Sequence, residues 1–172
     1  MMPVNQPIRT LLFACLLWAA HPAFAQPDWN FAVDIGYPAP EITDLLVRND
    51  TLILYGTGFN NDTEWKQGLV FAQLDSAGQL LKATFVLDSL GDKLAASKTW
   101  GKIIPTSDGG YAATAATVSR ESAFLLKLSA ALEVEFIREY PDTVNRSNFA
   151  YTPVETPEGY FLFGSIQRPD FE

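Results

Sequence analysis

The sequence predicts an all-β protein built from antiparallel strands. Short runs of β-branched and aromatic residues alternate with turn clusters rich in Gly, Asp, Asn, Ser and Pro. No segment after residue 25 sustains the 3.6-residue apolar period of an amphipathic helix. A group of four such runs also recurs about every 50 residues, which is typical of repeat architectures. Because the turns are short, we expect consecutive strands to pair as antiparallel meanders.

Ten runs after residue 40 have the length and composition of strands. They are residues 42–48, 51–58, 69–74, 80–87, 102–105, 111–118, 123–128, 133–140, 149–154 and 160–166. One more run, at 29–35, alternates apolar and polar side chains and predicts an opening strand. Most of these runs are separated by clusters of turn residues, so each predicted strand can pair with the next.

Two features depart from plain strands. Gly56 and Gly58 lie inside a predicted strand and indicate that another backbone approaches closely there. The one plausible helix is a single turn within 89–98, where Leu90 and Leu94 could share a face.

The first 25 residues resemble a removable secretion signal. Arg9 supplies a positive charge, residues 11–20 form an apolar core, and an Ala-x-Ala site ends at Ala25. Cleavage between Ala25 and Gln26 is therefore predicted. Ten apolar residues span only about half of a bilayer core, so we expect no transmembrane span. The expected location is secreted: the periplasm, the exterior or the cell surface.

Composition excludes several functions of the exported part. The chain has one His and one Cys, His21 and Cys15, and both lie in the signal. Without them, imidazole bases, thiol nucleophiles, disulfides and His/Cys zinc sites are excluded. With 12 basic against 20 acidic side chains, nucleic-acid binding is not expected. We predict no catalytic residues, no cofactor and no metal site.

An internal repeat relates the three parts of the chain. Gly110-Tyr111 aligns with Gly159-Tyr160, 49 residues later, and both pairs follow an acidic turn. Leu52 fits the same position in the earlier part of the chain. The predicted units are residues 42–99, 100–148 and a partial unit at 149–172. Four strands in about 50 residues are the size of a β-propeller blade.

The hairpin at the centre of this repeat carries a resemblance to a known family. The turn reads Thr106-Ser107-Asp108-Gly109-Gly110-Tyr111, and the next strand reads Phe124-Leu125-Leu126-Lys127-Leu128. This pattern resembles the T-x-D-G-G-Y repeats of secreted bacterial β-propeller-like proteins, common in Bacteroidota and often bearing a C-terminal sorting domain. The resemblance implies fold and secretion, and it implies no shared enzyme activity. Ala115 and Ala116 stand where such repeats usually have Gly, and no sorting module is recognisable.

The predicted architecture is an incomplete propeller of about two and a half blades. The opening run 29–35 resembles the start of the fourth strand of the second unit, as a ring-closing strand would. Propellers typically have four or more blades. We therefore expect that the chain is a fragment of a longer protein, or that it associates with itself through open strand edges.

Several patterns could carry chemistry, and for each a structural role is favoured. Thr106-x-Asp108-x-Gly110 overlaps half of a sialidase-type Asp box, but a hairpin explains it better. The oxygen-rich loop 60–64 could hold Ca²⁺, but it lacks the Gly and distal Glu of an EF-hand, so a solvated loop is favoured. Residues 56–58 lack the following helix of a phosphate loop.

Carboxylates and aromatic residues are the remaining candidates. Glu133, Glu135 and Glu139 share a strand face, as a glycosidase pair could, but a solvated face is the simpler account. Six aromatic residues could line a sugar- or peptide-binding surface, but most of them are expected to pack in the core or at edges: Trp65, Trp100, Tyr111, Tyr140, Tyr151 and Tyr160. Trp65 lies in the longest polar loop and is the predicted ligand contact.

The predicted function is a non-catalytic secreted or cell-surface scaffold for recognition or structural interaction, with a protein or a glycan as ligand. One alternative is a fragment of a secreted propeller hydrolase that acts on glycans through carboxylates. Another is a carbohydrate-binding module centred on Trp65.

Overall fold

The computed structural model describes residues 32–60, 66–89, 91, 93–96, 100–142, 144 and 147–167. These residues form eleven strands and no helix, which confirms the all-β prediction. The strands are β1 (Glu41–Arg48), β2 (Thr51–Phe59), β3 (Gln67–Leu74), β4 (Leu80–Val86), β5 (Leu94–Ala95), β6 (Ile103–Pro105), β7 (Tyr111–Thr117), β8 (Ala123–Leu128), β9 (Val134–Tyr140), β10 (Ser147–Thr156) and β11 (Gly159–Gln167). All lie in one compact unit, Val33–Glu172. Each of the ten predicted runs coincides with an observed strand to within two residues at either end.

The strands form three sheets in chain order. The first sheet is β1-β2-β3-β4, the middle sheet is β7-β8-β9 with β5 and β6 both paired to β7, and the last sheet is β10-β11. Every pairing is antiparallel, and all except that of β5 with β7 join strands that are consecutive in the chain. The predicted meander is therefore confirmed.

The edge of the middle sheet corrects the prediction of a helical turn within 89–98. Leu94–Ala95 forms β5 and pairs with Thr117 and Ala116, while β6 pairs with the first residues of β7. The two short strands thus share one edge of β7. Leu94 is fully buried, so its pairing and burial outweigh the helical spacing of the local sequence. β5 belongs to the middle sheet, although the repeat assigned it to the first unit.

The first and middle sheets pack face to face. Alternate residues of each strand point into their shared core, as the period of two requires. This core consists of Ile53, Tyr55, Leu69, Phe71, Val86, Leu94, Ala96, Ile103, Tyr111, Ala113, Ala115, Phe124, Leu126, Leu128 and Leu132. Tyr55 stacks on Phe71 with ring centroids 4.9 Å apart. Its hydroxyl donates to the Thr114 carbonyl at 2.6 Å, which satisfies the polar group that this burial encloses. Burial also raises the pKa of the Tyr55 hydroxyl.

The opposite face of the first sheet is partly covered by the segment that precedes it. Val33, Ile35 and Tyr37 pack against Val70 and its neighbours on that face. In the predicted opening strand 29–35, residues 29–31 lie outside the described part of the chain, and residues 32–35 form no strand.

The last sheet packs on the other side of the middle sheet through contacts of β10 with β6, β7 and β8. Every residue of β7 and β8 is consequently buried. The far face of the last sheet is exposed and apolar, with Phe161 and Phe163 at 64% and 62% exposure. No helix in the described ranges is long and apolar enough to cross a membrane.

The three sheets differ at one equivalent position of the repeat. β1 and β10 each carry a β-bulge, at 42–44 and 150–152. Opposite these bulges lie Gly56 and Gly164, where an added Cβ would overlap a carbonyl of the bulged strand. This confirms the close backbone approach predicted at Gly56. The middle sheet has Ala115 at the equivalent position, and there the edge strand is divided into β5 and β6.

Candidate functional site

The predicted hairpin motif forms a tightly bonded turn between β6 and β7. The Thr106 hydroxyl donates to Asp108 Oδ1 at 2.6 Å, and the Gly110 amide donates to the same oxygen at 3.0 Å. The Gly109 amide donates to the Thr106 carbonyl at 3.0 Å, with Gly109 in the left-handed region at a φ of 94°. Gly is favoured there because other residues are strained at positive φ. The hairpin interpretation of this motif is therefore confirmed.

A buried lysine stabilises the turn from inside the middle sheet. Lys127 is 4% exposed, and its Nζ lies 2.8 Å from Asp108 Oδ2 and 3.0 Å from Glu135 Oε2. It also donates to the Leu128 carbonyl at 3.1 Å. A buried cation is tolerated only when it is paired and hydrogen-bonded, and Lys127 has both kinds of partner.

The charges of this cluster reinforce one another. Hydrogen bonds from Lys127, Thr106 and the Gly110 amide hold the pKa of Asp108 well below its usual range. Burial opposes the charge of Lys127, but its bonds to Asp108 and Glu135 outweigh that effect and raise its pKa. Both partners therefore stay ionised around neutral pH.

Both neighbouring sheets bind this same turn. From β1, Arg48 Nη1 donates to the carbonyls of Gly109 and Gly110 at 2.7 and 3.1 Å. From β10, the Glu155 carboxylate accepts the Ser107 amide at 2.7 Å and the Ser107 hydroxyl at 3.0 Å. We call Arg48, the Thr106–Gly110 turn and Glu155 the inter-sheet joint. It connects all three sheets at one end of their strands.

The tyrosines of the repeat have packing roles, as predicted. Tyr111 is buried beneath the inter-sheet joint, with the Arg48 guanidinium carbon 5.6 Å from its ring centroid. Tyr160, at the equivalent position of the last sheet, lies edge-on to Phe136 at 6.4 Å. Burial, followed by the nearby charge of Glu155, raises the pKa of Tyr160.

The carboxylates considered for glycosidase chemistry are engaged in ion pairs. Glu135 pairs with Lys127, and Glu139 accepts from Arg120 Nε at 3.0 Å. Glu133 precedes β9 and lies 3.8 Å from Lys82 Nζ. The strand face is exposed at Glu135 and half-buried at Glu139, and long cations from adjacent segments pair with both carboxylates there.

The other candidates are structural or lie outside the described residues. Asn60 accepts the Lys66 amide at 2.8 Å, whereas the rest of the oxygen-rich loop and Trp65 are not among the described residues. Thr57 is buried in β2 and accepts the Ala96 amide at 2.8 Å, so residues 56–58 are a strand centre. Ala25 and Gln26 also fall outside the described part of the chain.

No metal site is evident in the part of the chain that the structure describes. No group of three or more His, Cys, Asp or Glu side chains in it could hold an ion. The acidic side chains of the inter-sheet joint bind cations and amides of the protein itself.

Sequence reasoning missed the roles of Arg48, Lys127 and Glu155. A charged residue within the apolar run Phe124–Leu128 was one available signal, because a buried Lys requires a carboxylate partner. Arg48 and Glu155 had no such signal, because their partners lie in other sheets and belong to the backbone or to a turn serine.

Comparisons with known proteins identify no relative from which a function could be inferred, so the functional inference rests on the geometry of the inter-sheet joint and its surroundings. Nothing matches the chain among protein-family models, curated protein sequences or solved structures. The likeness to the Bacteroidota repeat proteins therefore rests on the motif residues alone.

Proposed function

We propose that this protein is an exported, non-catalytic scaffold of the β-propeller type that serves recognition or structural interaction. The observation that carries the proposal is the inter-sheet joint. A single repeat turn of the middle sheet is bound by Arg48 of the sheet before it and by Glu155 of the sheet after it. The turn thus joins successive like sheets, which is the role that a blade-to-blade contact needs.

The placement of the first strands supports the same proposal. β6 contacts both β1 and β10, so the leading strands of the three sheets lie next to one another. In a propeller, four-stranded meanders surround a central channel, which also brings equivalent strands of successive blades together. A four-stranded sheet, a five-stranded sheet whose first edge is divided between β5 and β6, and a two-stranded sheet follow one another along the chain, which is consistent with two blades and part of a third.

The charged groups favour a scaffold over a glycan hydrolase. A hydrolase of that kind requires two carboxylates at a cleft, free to donate and accept protons. Glu135 and Glu139 instead form ion pairs with Lys127 and Arg120 that connect strands. The two carboxylates therefore stabilise contacts within the middle sheet.

We further propose that copies of the chain complete the set of blades. The apolar far face of the last sheet, with Val154, Phe161 and Phe163, is of the kind that a further sheet covers. Exposed contiguous apolar patches on soluble proteins commonly mark interaction surfaces. The nine-residue strand β11 also pairs only with β10 among the described strands, which leaves an edge for association.

Light scattering on the purified protein tests this proposal. We expect a defined oligomer that dissociates when Phe163→Asp places a charge on the far face of the last sheet. Val144→Asp is the matched control, because Val144 is 83% exposed and lies outside that face. A stable monomer with a cooperative thermal transition would contradict the proposal.

Export is tested separately by mass spectrometry of the protein recovered outside the cytoplasm. The proposal expects a first residue of Gln26, and Ala25→Arg should block this processing because signal cleavage needs a small side chain there. Recovery of the intact chain with Met1 in the cytoplasm alone would contradict it.

A further inference from the structure

A groove beside Trp100 is the most distinctive unassigned surface of the described structure. The groove has a volume of about 480 Å³. It lies between Trp100, which precedes β6, the first half of β10 and the last residues of β11. Its lining consists of Trp100, Phe149, Tyr151, Ser165, Ile166 and Gln167. Aromatic and apolar walls with a few polar groups are the usual makeup of small-ligand sites.

Trp100 is held in an unusual exposed position. It is 79% exposed, and its φ of 46° lies in the left-handed region that costs about 1 kcal/mol or more for a residue other than Gly. Neither packing nor local backbone preference explains a large indole there. Strained residues of this kind cluster at ligand clamps, where the surrounding structure holds them in place.

The divided edge strand of the middle sheet positions this tryptophan. The Gly101 amide donates to the Ala96 carbonyl at 3.1 Å, which connects the segment before β6 to the residue after β5. The next amide, of Lys102, donates to the Tyr151 carbonyl at 2.9 Å and connects the same segment to β10. The two residues that follow Trp100 are therefore bonded to Ala96 and to β10, which holds Trp100 beside the last sheet.

The polar groups of the groove are neutral. The Tyr151 hydroxyl and the Ser165 hydroxyl are hydrogen-bonded to each other, and the Gln167 amide lies nearby. Each hydroxyl can both donate and accept, and the amide offers both functions as well. No Asp, Glu, Lys or Arg is among the lining residues that the structure describes. A phosphate or other strongly charged ligand would lack the charge-assisted bonds that it requires.

We propose that this groove binds a neutral glycan, with one pyranose ring stacked on Trp100 and its hydroxyls bonded to Tyr151, Ser165 and Gln167. The C–H groups on the face of a sugar ring carry partial positive charge and pack on the negative face of an indole. Sugar hydroxyls both donate and accept, which matches the hydroxyl pair and the amide. The inference rests on the proposed recognition role and assigns it to Trp100, in addition to the expectation at Trp65.

Titration calorimetry with neutral hexasaccharides of glucose, mannose and xylose tests the proposal, with polygalacturonate as the charged comparison. We expect at least one neutral glycan to bind and to shift the tryptophan fluorescence. Trp100→Ala should weaken that binding at least tenfold, and Trp100→Phe should weaken it about threefold because a smaller aromatic face remains.

Val144→Ala is the matched control, because it truncates an apolar side chain that is 83% exposed and lies outside both the groove lining and the far face of the last sheet. Its affinity for the glycan should stay within twofold of the parent protein. Binding that survives Trp100→Ala unchanged, binding of polygalacturonate alone, or no binding by any member of the panel would each overturn the proposal.

Failure of this inference can be told apart from failure of the scaffold proposal. Trp100→Ala removes a side chain that is mostly in solvent, so the oligomer seen by light scattering should persist in this variant. An intact oligomer that binds no glycan would refute the glycan-binding proposal and leave the scaffold proposal standing. A monomer that binds glycan through Trp100 would refute the proposed assembly and keep the groove.

Discussion

The first and last sheets differ from the middle sheet at the strand that begins each of them. β1 and β10 are continuous and carry a bulge opposite Gly56 or Gly164. In the middle sheet Ala115 occupies the equivalent position, and the edge is built from the short strands β5 and β6. The same repeat therefore produces two kinds of edge strand, a continuous one opposite a Gly and a divided one opposite an Ala, which differ by one methyl group.

This difference has a steric origin. At a bulge, the carbonyl of the bulged strand moves toward the partner strand, and only a residue without Cβ leaves room for it. With Ala115 fully buried, the middle sheet has no room for that carbonyl. β5 and β6 pair with separate parts of β7, and Trp100, which lies between them in the chain, is exposed. The bulge of the first and last sheets is thus not needed in the middle sheet. The surface around Trp100 lies where the middle sheet lacks that bulge.

Gly56→Ala should have the largest effect, because it places the methyl group of the middle sheet into the first sheet. The new Cβ would overlap the Glu41 carbonyl, and backbone atoms cannot rotate away. We expect a loss of about 3 kcal/mol in the free energy of unfolding, measured by urea denaturation. Gly58→Ala is the control in the same strand. Its Cβ would meet the Val70 side chain at 2.7 Å, so a loss of about 1 kcal/mol is expected. Equal losses would contradict the steric explanation.

Lys127→Met should have the next largest effect, and it acts on the middle sheet alone. The change keeps the length of the side chain but leaves Asp108 and Glu135 without the cation between them. We expect a loss of about 2 kcal/mol by urea denaturation. Gln73→Met at the equivalent position of the first sheet should change the stability by less than about 0.5 kcal/mol. A loss at Gln73 as large as at Lys127 would show that the loss at Lys127 does not come from its buried ion pairs.

Acid should weaken the inter-sheet joint through Asp108. Its pKa is lowered in the folded protein, so its contribution to stability is present above the unfolded pKa of about 3.9 and is lost as the pH falls through the lower folded value. The parent protein should therefore lose more stability than Asp108→Asn between about pH 4 and pH 2. Thermal unfolding across this pH range measures the difference. Parallel pH curves for the two proteins would rule out a charged role for Asp108.

Glu155→Gln should have the smallest effect, because the carboxylate is at the surface and the amide can still accept from Ser107. A loss of about 0.5 kcal/mol is expected, since exposed charged contacts contribute little. Hydrogen exchange at the Ser107 amide is the sharper measurement, and it should quicken. Glu158→Gln in the neighbouring hairpin is the control and should leave that amide unchanged. No change at Ser107 in the Glu155 variant would remove the last sheet from the joint.

Most of the strand map follows from local sequence, because a period of two and turn residues act over a few positions. The run 123–128 and the hairpin at Gly109 were predicted correctly for this reason. The helical turn within 89–98 was wrong because β5 forms only by pairing with β7, more than twenty residues later.

The candidate site was predicted less well than the fold. The motif residues were correctly predicted to form a hairpin. Its partners Arg48 and Glu155 come from other sheets, and no local sequence pattern predicts such contacts. Trp100 was one of six aromatic residues considered for a sugar- or peptide-binding surface, and packing was favoured for most of them. Its exposure follows from the divided edge, which the sequence shows only as an alanine in place of a glycine.

The pairing of nearly all strands with the next strand in the chain also bears on how the protein folds. Nearly every ladder closes a loop of only a few residues, so each sheet can form with a small loss of chain entropy. The contacts of long sequence separation, such as Arg48 with Gly109 and Ser107 with Glu155, arise only when the sheets meet. Folding should thus be fast within sheets and limited by their docking, with the contacts of Arg48 and Glu155 to the β6–β7 turn forming last.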